Sequence, residues 1–237
     1  MTTHDDRSLT PDLTAGQASG PVAVPAALPT GPGYFFPASA PGVPLSAFAF
    51  AFAVGFLGLV DSGILASAAS SMFIGVLLGV GTLGLLVGGL WEFRAGELFG
   101  GTFGLGYAGF LLSTGLILKF FTAPIVDAAG PLAFNHAFAA WLLMWALFTG
   151  VFAIGARTIA LAAFMPFFLA FLVLVILAIG LLGGTASWAS DVTKIGGWVA
   201  IVDGLAAGYL GSALLLNTTH ARDMLPLWPR QPSGARG

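Results

Sequence analysis

Six stretches of the chain carry almost no polar side chain: about 45–66, 71–90, 101–118, 134–154, 159–182 and 195–217. Each is apolar on every side rather than along one stripe, and each has about the 20 residues that cross a ~30 Å hydrocarbon core. In lipid only helices or closed barrels satisfy their own backbone, and runs of this length predict helices. The pattern predicts an all-α integral membrane protein with six transmembrane helices per protomer. Residues 41–219 are the expected membrane domain, with tails at 1–40 and 220–237. The first tail holds Thr, Asp, Pro, Ala and Gly without apolar periodicity, and eight of the 14 prolines fall at or before Pro44. Such a composition cannot bury a core, so 1–40 reads as disordered, with Tyr34-Phe35-Phe36 as an interfacial aromatic anchor.

The polar residues between the runs set an orientation. Arg7, Arg94, Arg157, Arg222, Arg230 and Arg236 fall on one side, and Lys119 and Lys194 on the other. Six against two places both termini in the cytoplasm and makes the expected site a multi-pass plasma membrane protein. Lys119 and Asp127 are then expected in an outer connection.

Composition agrees: 57% of the 237 residues are hydrophobic and 8% charged, against about 25% charged in soluble domains. With no cysteine there is no disulfide, thiolate metal site or cysteine nucleophile. Three separated histidines do not make a metal site, no catalytic constellation stands out, and scattered basic residues give no nucleic-acid surface. An enzyme is not expected, nor a cofactor. Thirty-four glycines, several spaced as G-x-x-x-G at 75/79, 84/88, 180/184 and 204/208, point to closely packed helices.

Ionisable groups inside spans are functional candidates by default. Asp203 lies about eight residues into the sixth run, ~12 Å deep by helical rise. It is either a proton-coupling acid on a pathway or a carboxyl bonded to a neighbouring helix. Asp61 falls near the outer end of the first run. Glu92 and Arg94 close the second, where a structural clasp between them is expected. Tyr107, in mid-span, is either a lumen residue or a hydrogen-bonded core residue. Phe50 points away from the Phe48, Phe52, Phe56 face and can meet a lumen. Pro166 either kinks the fifth helix or breaks it beside a pathway.

The block Gly89-Leu90-Trp91-Glu92-Phe93-Arg94-Ala95-Gly96-Glu97-Leu98-Phe99-Gly100, followed by Tyr107-Ala108-Gly109-Phe110, resembles the G-x-x-E-[FY]-x-x-G-N-T-F-G…S-Y-G-x-F signature of the acetate uptake transporter family (GPR1/FUN34/YaaH). Gly197-Trp198 and Asn217-x-x-x-x-Arg222-x-x-Leu225-Pro226 add two further pieces in the right order. The family's N-P-A-P-L-G-L mouth is here Pro41-Gly42-Val43-Pro44-Leu45-Ser46-Ala47, keeping Pro44 and Leu45 of the motif but not its asparagine. Glu92, Arg94, Gly96 and Asn217 are the motif's structural residues.

The resemblance implies proton-coupled uptake of acetate, and of succinate, by a homo-hexamer in the bilayer with one pathway per protomer. It places a constriction on Phe50, Tyr107 and either Leu169 or Ala170, with Ala207 of the sixth helix influencing substrate choice. Asp203 is not part of the family pattern. A channel-like anion or ammonium facilitator, and a non-transporting sensor or scaffold with an altered mouth, are the alternatives.

Overall fold

The computed structural model describes residues 41–229. The expected disordered stretch 1–40, the Tyr34-Phe35-Phe36 anchor, Arg7, Arg230 and Arg236 lie outside them. Among the described residues six helices are long and apolar enough to cross a membrane: α1 Val43–Asp61, α2 Ser67–Arg94, α3 Leu98–Ala129, α4 Pro131–Ala156, α5 Leu161–Gly183 and α6 Ala189–His220. The first, second, fourth and fifth follow the apolar runs closely. α3 does not stop at Leu118 but continues to Ala129, so Lys119 and Asp127 lie within helix rather than in a connection. Gly130, at φ 82°, ends it, and Pro131 opens α4 with the ring geometry a first helical position favours.

Two spans contain a π-helical turn, Leu77–Gly81 in α2 and Ile117–Phe121 in α3. Each is followed by a threonine that bonds back to the loosened carbonyls: Thr82 Oγ1 donates to Leu77 O at 2.7 Å, and Thr122 Oγ1 to Leu118 O at 3.1 Å. Such one-turn bulges shift the register of a helix face and often border functional sites. Pro166 neither breaks α5 nor ends it; the helix runs unbroken through it.

The helices form a ring in which α1 packs on α6 and α2, α5 on α4 and α6, and α2 on α3. Without a hydrophobic drive between spans in lipid, close backbone approach holds such a ring together. At the α1–α6 crossing a Cβ on Gly204 would stand 2.9 Å from Gly55 Cα. Ala200, Asp203 and Ala207 on α6 are all fully or almost fully buried. By contrast Gly75 and Gly79 face open space within the protomer, so that G-x-x-x-G pair makes no helix contact here.

The segment 221–229 folds back on the bundle. Asn217 holds it: its Oδ1 accepts from Met224 N (2.8 Å) and Leu225 N (2.9 Å), and its Nδ2 donates to Leu225 O (2.8 Å). The carbonyls of Trp228 and Leu227 then accept from Leu161 N (3.0 Å) and Ala162 N (3.2 Å), satisfying donors that the first turn of α5 leaves free.

Candidate functional site

Phe50 from α1, Tyr107 from α3 and Ala170 from α5 come together at the middle of the ring, and all three are buried. The Phe50 and Tyr107 rings meet edge to face at 5.4 Å. From these three residues a cavity of about 270 Å³ runs toward the Asp61 end of the bundle, with walls from all six helices. Leu57, Phe73, Leu77, Leu111, Leu142, Val173 and Leu177 are among the side chains that line it. Both π turns contribute, through Leu77 and Leu118. Among the described residues no Lys, Arg or His lines it, and Asp61 supplies its one carboxylate. Beyond Asp61 the cavity shares Val60, Leu181 and Thr193 with a wider mouth of about 450 Å³, where Ser67, Asn135, Ser190 and Lys194 stand. Lys194 pairs with Asp191 at 3.9 Å, both exposed.

On the other side of the neck the bundle is filled. Phe99, Phe103, Phe152 and Phe167 pack ring against ring, with Phe103 4.9 Å from Phe167 and 5.1 Å from Tyr107, and Phe152 stacked on Phe167 at 5.5 Å. None of the four lines the cavity. The cavity therefore reaches the Asp61 end of the bundle and stops short of the Arg94 end.

Tyr107 is both a cavity-lining and a hydrogen-bonded residue. Its ring borders the cavity, while its hydroxyl lies 2.5 Å from Thr149 Oγ1. Thr149 gives its own proton to Trp145 O at 2.7 Å. With one proton per hydroxyl, Tyr107 must be the donor of the first bond. The tyrosine thus offers the cavity an aromatic face, with its proton already engaged.

The remaining candidates divide. Of the two positions on α5, Ala170 lines the cavity, whereas Leu169 is half-buried and off its wall. Ala207 is buried in the α6 core and also lies off the wall. Asp203 is fully buried, and neither carboxyl oxygen has a hydrogen-bond partner among the described residues. It is thus not the carboxyl bonded to a neighbouring helix that the sequence allowed.

The expected Glu92–Arg94 clasp does not form. Glu92 is 3% exposed and turns inward, accepting from the backbone N–H groups of Gly42 and of Val43 (3.1 Å) at the start of α1. A carboxylate there satisfies donors without helical partners and faces the positive end of the helix dipole. Close packing makes room for it: a Cβ on Gly88 would stand 2.9 Å from Gly42 O, and one on Gly100 would stand 2.7 Å from Glu92 Oε2. Pro44 is buried in the first turn of α1 and Leu45 is exposed beside it. Gly96, at φ 85°, turns the chain out of α2: Gly96 N donates to Phe93 O (3.1 Å) and Glu97 N to Glu92 O (2.9 Å), the paired bonds of a Schellman end. Arg94 itself is exposed.

Sequence reasoning did not single out Thr149, Thr114 or Trp141. A hydroxyl in mid-span was the available signal, since polar side chains there must find partners.

Six apolar helices around a cavity that is bordered by aromatic rings and open toward Asp61 are the architecture of a multi-pass membrane protein. The chain belongs to the GPR1/FUN34/yaaH family, whose sequence profile matches residues 33–228. It is similar to the succinate-acetate/proton symporter SatP of Escherichia coli, 27% identical over 185 residues covering 78% of this chain and 93% of that one. Acetate permease A of Emericella nidulans is 25% identical over 200 residues, covering 81% of this chain and 67% of the relative. Among solved structures, that of the bacterial acetate channel SatP superposes with a TM-score of 0.70 at 25% identity, over 79% of this chain and 98% of the other.

Proposed function

We propose that the protein carries acetate and other short-chain carboxylates, succinate among them, across the plasma membrane, together with a proton. Each protomer of a homo-hexamer has its own pathway through the Phe50–Tyr107–Ala170 neck, and both chain termini are cytoplasmic. The observation that supports this reading best is the cation-free apolar cavity ending at that neck. A bare carboxylate in such surroundings forfeits its hydration without an opposite charge in return, whereas the neutral acid does not. Acetic acid resembles a glutamic side chain, with a pKa near ~4.3. Its neutral fraction falls from about one in six at pH 5 to about one in 500 at pH 7. Uptake that follows the neutral acid drops by roughly the same ratio, nearly a hundredfold, as pH rises across that window.

Asp203 is the alternative carrier of the proton, as a fully buried carboxyl whose oxygens bond to no other group among the described residues. Labelled acetate uptake into proteoliposomes, with an inward proton gradient on and off, tests the reading. Accumulation against the acetate gradient that an ionophore collapses is the expected result; downhill flux alone would make the protein a channel-like facilitator, and no flux would sink the proposal. Asp203→Asn separates the two proton routes. A flattened pH profile assigns the proton to Asp203, and an unchanged one assigns it to the passing acid.

A further inference from the structure

The hydroxyls around the cavity are not equivalent. Thr193 donates to Ala189 O at 3.0 Å, one helical turn back, and Tyr107 donates to Thr149. Ser70 is exposed at the rim. Thr114 differs from all of these. It lines the cavity and is 5% exposed, and its Oγ1 accepts from Trp141 Nε1 at 3.0 Å. Its own proton has no acceptor among the described residues, although a helical threonine commonly gives it to a carbonyl one turn back. Trp141 is held in place by stacking on Phe110, with ring centroids 6.0 Å apart. An indole N–H bonded to the oxygen polarises the hydroxyl and strengthens it as a donor toward the cavity.

Around this donor the walls are Leu111, Leu118, Phe138, Leu142 and Val173. The cavity's 270 Å³ equals about nine water volumes at roughly 30 Å³ each, far more than the four heavy atoms of acetate fill. A second carboxylate would have to lie among these apolar side chains, where nothing pairs with it.

We propose that Thr114, with its oxygen held by Trp141, binds the carboxyl group of the passenger acid, and that the cavity beside it prefers saturated monocarboxylic acids of about four to six carbons over acetate and over dicarboxylic acids. This deepens the transport reading by naming the substrate class, yet binding is measurable whether or not the acid crosses.

The test is ligand stabilisation of the purified full-length protein in detergent at pH 5, titrated separately with acetate, butyrate, hexanoate and succinate. The half-saturating concentration is expected to fall about fourfold for each added methylene, with succinate no tighter than acetate. Thr114→Val is expected to weaken every monocarboxylate by about tenfold, with Thr114→Ser restoring it and Trp141→Phe weakening it by a smaller factor. Val173→Phe, which fills the cavity and leaves Thr114 in place, is expected to remove the gain from chain length while sparing acetate, and it keeps the test decisive if the valine variant does not fold. Equal affinity across the series, or unchanged affinity in Thr114→Val, would overturn the proposal. Failure of acetate uptake in proteoliposomes would remove the transport reading and leave this binding series standing.

Discussion

Tyr107 divides the bundle into two halves built from equally apolar residues with opposite outcomes. Toward Arg94, Phe99, Phe103, Phe152 and Phe167 fill the centre ring against ring. Toward Asp61, leucines and valines of the same helices stand back around a cavity of about 270 Å³. Hydrophobicity cannot account for the difference. Edge-to-face rings at about 5 Å tile space from several helices at once, and the α1 start is pinned there by Glu92. On the open side the π turns of α2 and α3 change the helix register beside the cavity, and Ala170 leaves the neck short of side-chain volume. An open end and a closed end are therefore matters of shape, set by which apolar residues meet.

The largest effect expected is that of Phe103→Ala, which removes a ring contacting Phe50, Tyr107, Phe152 and Phe167. Truncating a buried Phe costs about 3 kcal/mol, visible as a lower melting temperature, while acetate flux should rise because the closed end is opened. Lower stability with unchanged flux would move the barrier to the neck itself. Glu92→Ala should cost about 2 kcal/mol by stranding the N–H groups of Gly42 and Val43 in a buried place, whereas Arg94→Ala should leave the melting temperature nearly unchanged. Equal effects of the two would restore the clasp that the sequence had pointed to.

Tyr107→Phe keeps the ring and removes the bond to Thr149, so a loss of about 1 kcal/mol is expected with acetate flux retained. Tyr107→Ala, which takes away the ring as well, should change flux or selectivity. If the phenylalanine variant alone abolishes uptake, the hydroxyl serves the passenger and not only Thr149. A modest change in stability is expected for Ala170→Leu, under about 1 kcal/mol, because the new side chain grows into open space rather than into a packed wall. Its effect should appear as slower uptake of longer acids relative to acetate, and equal slowing of all acids would show that Ala170 does not set the width of the neck.

Much of this molecule is legible in the chain. The lack of charge over six runs dictates six helices, because a backbone in lipid must satisfy its own hydrogen bonds. Gly96 marks the end of α2 for a local reason, the positive φ of its turn. The motif resemblance singled out Phe50, Tyr107 and an α5 position, and all three helices bring a residue to one cavity wall, Ala170 rather than Leu169 on α5. Other features depend on packing between helices and leave no local trace. Glu92 is two residues from Arg94 in the chain, yet its oxygens go to Gly42 and Val43, some fifty residues away. The proton of Tyr107 goes to Thr149, and Trp141 holds the oxygen of Thr114, each across a helix–helix contact. Periodicity decides that a segment is a span; in a segment apolar on all sides it cannot decide which face meets lipid, neighbour or cavity. That choice belongs to the tertiary structure, where backbone approach at small residues and the fit of rings settle what each side chain touches.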